Sequence, residues 1–209
     1  MAVENKNKQA SKLLFYFAIA LFIISLIVFF VNVDKFFKIT GKVTNLGTAN
    51  LTVESTININ FTTANINWGS GSVTAGNANA TLDTSAGANN VTRGNWTGNT
   101  AGLILENIGN NNVSLDIKSG VNAATLLGGA SPLYQFNFTS LEATSCTFNS
   151  TTTTAATFYD ANGTDRRVCN IFNVDQGADT LRIDVKIAIP SNSKTGAIGD
   201  IITATATGI

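Results

Sequence analysis

Two cysteines and nine Asn-x-Ser/Thr triplets are the residues of this chain whose types and spacing suit covalent chemistry. The triplets begin at Asn50, Asn60, Asn79, Asn90, Asn95, Asn112, Asn137, Asn149 and Asn162. Each is an acceptor pattern for N-linked sugar, a modification of exported chains. Cys146 and Cys169 lie in the same stretch, and an even pair in an exported domain suits one disulfide. Closing that loop would contribute about 3 kcal/mol in the chain-entropy picture. Buried free thiols and a metal pair are the other readings. The metal pair lacks further soft ligands to complete it.

Other chemistries are excluded or thinly supported. Histidine is absent, which removes Ser-His-Asp and Cys-His catalysis and any His-bearing metal site. Asp160-Ala161-Asn162-Gly163-Thr164-Asp165 is rich in oxygen ligands. A calcium loop of the EF-hand type would continue to a Glu at its twelfth position, where Ile171 stands. A polar turn is the simpler reading. Leu82-Asp83-Thr84-Ser85 lacks both the glycine and the second copy that an aspartic protease needs. Ser191-Asn192-Ser193-Lys194 reads as a turn, not as a Ser–Lys dyad. Trp68 and Trp96 sit among glycine and asparagine. They suit stacking on sugar faces, as in a carbohydrate-binding module, or capping one end of a core. No catalytic, cofactor-binding or metal-binding residue is expected, and no enzyme.

Thirteen basic and thirteen acidic residues cancel to a net charge of zero. The positive footprint of a nucleic-acid binder is therefore missing. Polarity comes from 26 Asn and 28 Thr, with charged residues only 12% of the chain.

Residues 13–33 read LLFYFAIALFIISLIVFFVNV, with only Ser25 and Asn32 outside the apolar set. As a helix this run would reach ~31 Å, enough to cross a hydrocarbon core. It is longer than a secretory h-region and ends beside no small residue suited to cleavage. Residues 13–33 are therefore expected to be an uncleaved signal anchor in contact with membrane lipid. Lysines flank it on both sides, at positions 6, 8 and 12 and at 35, 38 and 42, so the positive-inside rule is nearly balanced. The acceptor triplets and cysteines, all downstream, decide the orientation. Residues 1–12 become a cytoplasmic tail, 34–42 a juxtamembrane segment, and 43–209 an extracellular domain.

That domain alternates with period two. Leu181, Ile183, Val185, Ile187 and Ile189 share one face of a strand that ends at Pro190. Val113, Leu115 and Ile117 form a second such face, and Ile57, Ile59 and Phe61 a third. Leu103–Asn107 is expected to turn through 108–112 into the Val113 strand as a hairpin. Asn162-Gly163 predicts another, joining Phe158-Tyr159 to Arg167-Val168-Cys169. Residues 201–207 read as a final strand, and 69–99 as the least regular stretch. No downstream helix is expected. The sum is an all-β antiparallel sandwich, Ig-like or jelly-roll-like, of roughly 8–11 strands.

Several phrases resemble those of uncharacterised single-pass archaeal surface proteins. They are Ile59-Asn60-Phe61-Thr62, Ile66-Asn67-Trp68-Gly69, Gly94-Asn95-Trp96-Thr97, Leu105–Asn110 and Pro190–Gly196. The resemblance implies a surface location and no assigned chemistry. Gln9-Ala10-Ser11 before the apolar run is similar to the start of archaeal type IV pilins. Those proteins join an N-terminal hydrophobic helix to a β-rich head. Leu13 and Leu14 stand where the pilin pattern has Glu and Tyr, and Lys8 precedes Gln9. The apolar run, the acceptor triplets and the low-charge surface lead to the expectation of a membrane-anchored, glycosylated structural or adhesion protein that associates with itself or with other envelope proteins. The pilin resemblance implies a filament subunit.

Overall fold

The computed structural model describes residue 12, residues 14–29 and residues 51–209. Nearly all of the expected tail, both ends of the apolar run, the juxtamembrane segment and Asn50 lie outside the described residues. The chain divides into two units, Met1–Thr52 and Val53–Ile209.

In the first unit, residues 14–29 form a helix, α1, and every one of its residues is exposed. Leu14, Phe15, Phe22 and Phe29 each show more than three-fifths of their surface. The described part of α1 would extend ~24 Å. Among the described residues no helix is long and apolar enough to cross a membrane.

The second unit contains eleven strands among the described residues, in two antiparallel sheets. They are β1 (Ile59–Thr63), β2 (Asn79–Asp83), β3 (Val91–Thr92), β4 (Leu103–Asn107), β5 (Val113–Ser119), β6 (Leu133–Ser140), β7 (Cys146–Phe148), β8 (Phe158–Asp160), β9 (Arg166–Phe172), β10 (Thr180–Pro190) and β11 (Ile202–Gly208). The smaller sheet runs β11-β5-β9-β7. The larger is organised around β10. One edge of β10 pairs with β6, which continues to β8. The other edge is shared, with Thr180–Ile183 facing β4 and Lys186–Pro190 facing β2. Beyond those lie β1 and β3.

Alternation explains how the sheets meet. Leu181, Ile183 and Val185 of β10 and Tyr134, Phe136 and Phe138 of β6 point inward. They join Val113, Leu115 and Ile117 of β5 and Val168 and Phe172 of β9 in one core. The three β6 rings step along the core edge to face, with centroids 5.1 and 6.4 Å apart, the spacing their quadrupoles favour. Burying side chains of this size supplies ~1.5–3 kcal/mol each relative to exposure.

Both expected hairpins are crossovers between sheets. β4 lies in the larger sheet and β5 in the smaller, and β8 and β9 are divided the same way. Buried Asn107 holds the first crossover, donating Nδ2 to the carbonyls of Asn111 and of Phe172 in β9. Ser119 holds the second, its Oγ accepting from Gly163 N–H. Gly163 has φ +77° there, a conformation glycine adopts without a steric penalty. A short helix, α2 (Ala123–Leu127), was also not expected. Asn122 caps it by accepting from Thr125 N–H, and Gly128 closes it at φ +63°. At one turn and a half it is too short to show a helical period.

Candidate functional site

The two cysteines form a disulfide, with Cα atoms 5.4 Å apart and both residues in the core. Cys146 on β7 and Cys169 on β9 sit diagonally across one strand pair. The segment between them leaves the smaller sheet, lends β8 to the larger one, and returns as β9. The covalent loop therefore ties the two layers together.

A polar joint lies on the outer face of the larger sheet, where β10 passes from β4 to β2. Between those pairings β10 has no strand partner on that edge, and Thr84 fills the gap. Its N–H donates to the Val185 carbonyl at 3.1 Å, and its Oγ accepts from Val185 N–H at 3.0 Å. The same hydroxyl donates to Asp184 Oδ1 at 2.7 Å. Arg182 clamps the Asp184 carboxylate through Nε and Nη2, and Nη2 also donates to the Thr100 carbonyl at 2.8 Å. Asp184 is 3% exposed. Gly102 is needed at this point, because a Cβ there would lie 2.8 Å from the Ile183 carbonyl oxygen and 2.9 Å from Asp184 Oδ1.

Asp83 sits one position away, accepting from Ser85 N–H and Oγ, with Lys186 Nζ 3.8 Å distant. Asp83, Thr84 and Ser85, the faintly protease-like triplet, thus terminate β2 and seal the sheet. Both carboxylates face fixed cations and hydroxyls, an arrangement that holds strands in register. Sequence reading missed it because Arg182, Asp184 and Lys186 alternate outward and resemble a solvated face. The signal available was Asp-Thr-Ser closing one strand and a glycine opening another.

The acceptor asparagines fall into different environments. Asn137 is 6% exposed, in the middle of β6 opposite Asp184, and its buried Oδ1 has no hydrogen-bond partner. That burial leaves the side chain little surface at which a glycan could attach in the folded sheet. Asn79 is half-buried and accepts from Arg93 Nη1. Asn90 is half-buried with its amide against Gly98, where a Cβ would come within 2.6 Å of Oδ1. Asn149 is half-buried and accepts from Thr151 N–H. Asn60, Asn95, Asn112 and Asn162 are exposed. Asn95 Oδ1 is held by Ser72 N–H at 2.6 Å, and Asn112 Oδ1 by Val174 N–H at 3.0 Å.

Neither tryptophan stands free as a stacking platform. Trp68 is half-buried against the core. The ring of half-buried Trp96 lies so close to the backbones of Gly71 and Gly94 that a Cβ at either would come within 2.7 Å. These glycines are spacers that leave room for the indole. The loop at 160–165 is internally bonded: Asp160 Oδ1 accepts from Gln135, and Asn162 Oδ1 from Thr164. Among the described residues no group of three or more acidic or cysteine side chains could hold a metal. A cleft beside this loop, lined by Ser119, Asn162 and Arg166 among others, has about 10 Å³ of free volume, room for about one water.

Two tyrosines titrate in opposite directions. Burial pushes the Tyr134 phenol far above its ordinary 10.0, reinforced by Asp200, whose carboxylate accepts the hydroxyl proton at 3.1 Å. Tyr159 is lowered, first by hydrogen bonding from the Thr154 side chain, then by the Thr154 N–H that donates to its oxygen at 2.7 Å and by Arg166 over its ring. Tyr134 therefore contributes stability that is complete below pH 10 and declines as pH rises above it. The Tyr159 contribution runs the other way, appearing at alkaline pH. Ultraviolet titration of the wild type beside Tyr134→Phe and Tyr159→Phe variants should assign an early step to Tyr159. Ionisation of Tyr134 should coincide with unfolding. Its release near pH 10 in a still-folded chain would contradict the buried pairing with Asp200.

No family model matches the chain, and no curated protein and no solved structure matches it either.

Proposed function

We propose that this is a non-catalytic surface protein in which an apolar helix anchors an exported β-sandwich to the membrane. The observation that carries the reading is α1. It is apolar around its whole circumference, and all of its side chains are exposed in the unit to which it belongs. A helix of that kind is stable only when something else covers it, lipid above all. Asn- and Thr-rich strands support a role in contact between neighbours, because a low-charge surface is insensitive to ionic strength. The disulfide supports an oxidising compartment. In this reading the sandwich, Ig-like or jelly-roll-like in form, is an envelope or adhesion component of the archaeal surface-protein kind.

A second reading uses the same helix in the core of an extracellular filament, and Gln9-Ala10-Ser11 favours it. Mass spectrometry of the native N-terminus separates the two. A chain that retains Met1 or Ala2 and partitions with membranes supports the anchor. A mature start at Gln9 or Ser11, with filaments visible by electron microscopy, overturns the anchor in favour of the filament.

A further inference from the structure

We propose that the fold selects among its own acceptor triplets, presenting Asn162 as the site of N-linked sugar and shutting Asn137 out. The inference rests on the exported reading above and names the modified atom within it.

The motif demands a hydroxyl two residues after the asparagine. That demand has structural content only where the backbone brings the two side chains together. Asn60 lies in β1, where residues two apart share a face but are held apart by the extended chain. The Thr62 hydroxyl donates instead to the Ile104 carbonyl of β4. The Ser114 hydroxyl of the Asn112 triplet is buried and donates to the Thr207 carbonyl at 3.3 Å. Asn95 is held by Ser72, which stands outside its own triplet.

Asn162 differs from all of these. Its Oδ1 accepts both the N–H of Thr164, at 3.1 Å, and the Thr164 hydroxyl, at 2.7 Å. With the oxygen turned inward and held twice, the Nδ2 group faces away from the turn. Among the described residues Nδ2 donates to nothing. Asn162 and Thr164 are both exposed.

The backbone around them is pinned. Ala161 N–H donates to the Tyr134 carbonyl at 2.8 Å, Gly163 N–H to Ser119 Oγ at 3.0 Å, and Asn162 bridges to Asn122. Gly163 allows the tight turn with φ +77°. The acceptor is thus a fixed feature of the crossover between the two sheets. Its geometry exists only once both sheets have formed.

The chemistry follows from that arrangement. Two hydrogen bonds on the carbonyl oxygen draw electron density from the carboxamide and make an Nδ2 proton easier to remove. Nδ2 forms a bond to the anomeric carbon of a lipid-phosphate-linked oligosaccharide. The bond from that carbon to the phosphate oxygen breaks, and the lipid phosphate leaves with the electron pair. One Nδ2 proton passes to a base of the transferase. At Asn137 the same transfer would place a glycan in the middle of the β8-β6-β10 array.

The test is site occupancy in protein purified from its native cells, measured by glycopeptide mass spectrometry. Cleavage before Asp160 and Asp165 isolates residues 160–164, which contain Asn162 and no other acceptor. The expected result is a glycan mass on this peptide, at higher occupancy than on any other triplet, with Asn137 bare. Asn162→Gln and Thr164→Ala should each remove that mass and leave the thermal midpoint little changed. Glycans elsewhere with a bare Asn162, or a glycan on Asn137 of the folded protein, would overturn the inference and leave the exported reading standing. A chain bare at every triplet would overturn the glycoprotein reading together with this one.

Discussion

Replacing Arg182 with methionine is expected to destabilise the sandwich by about 3–5 kcal/mol, the range for breaking a buried ion pair on one side. Asp184 is almost wholly inaccessible, and only a quarter or so of the Arg182 side chain reaches solvent. Without the guanidinium the carboxylate keeps one side-chain donor, the Thr84 hydroxyl. The Thr100 and Thr84 carbonyls also lose the Nη2 donor. The loss falls at the gap in β10 where no strand hydrogen bonds compensate. The double variant Arg182→Met with Asp184→Leu should recover most of the loss, because replacing both partners removes the uncompensated charge. Denaturant midpoints of the wild type, both single variants and the double variant measure this coupling. A cost below about 1 kcal/mol for Arg182→Met, as for an exposed pair, would mean that the joint is ornamental.

Removal of the disulfide is expected to be nearly as costly. The loop it closes has a sequence separation of 23, for which the chain-entropy picture gives about 3 kcal/mol. In a domain of this size that corresponds to a fall in Tm of roughly 6–12 °C. Three hydrogen bonds also close the loop, from Asn149 N–H to the Val168 carbonyl and from the Thr152 and Thr153 hydroxyls to that of Arg167. The reduced protein should therefore keep its strand pairing and lose stability first where β7 meets β9. Cys146→Ala with Cys169→Ala, compared with wild type before and after reduction, checks the effect. An unchanged Tm would show that these hydrogen bonds alone constrain the loop.

The strands were legible in the sequence because their burial is one-sided. Leu181, Ile183 and Val185 alternate with polar residues, and that pattern places β10 to within a residue. The disulfide was legible from the cysteine count. The connections were not. Asn162-Gly163 satisfies the chemistry of a hairpin turn, yet the chain crosses to the other sheet, because a turn dipeptide fixes local backbone and not the strand that follows. Contacts remote in sequence, Gly163 with Ser119 and Asn107 with Phe172, decide where each crossover docks.

The polar joint was hidden for a related reason. Outward-pointing Asp184 looks solvated until the fold brings Thr84, 100 positions away, against it and Thr100, 82 positions from Arg182, against its partner guanidinium. The same blindness applied to Asn137. Its triplet matches the acceptor pattern, and only the folded sheet, with β6 between β8 and β10, shows the side chain to be buried.

Limited proteolysis of intact cells tests the central claim most directly. If α1 holds an exported sandwich, protease added outside should release peptides of residues 53–209 without lysis, and the helix should stay with the cell envelope. Protection of the sandwich until the cells are broken would contradict the account.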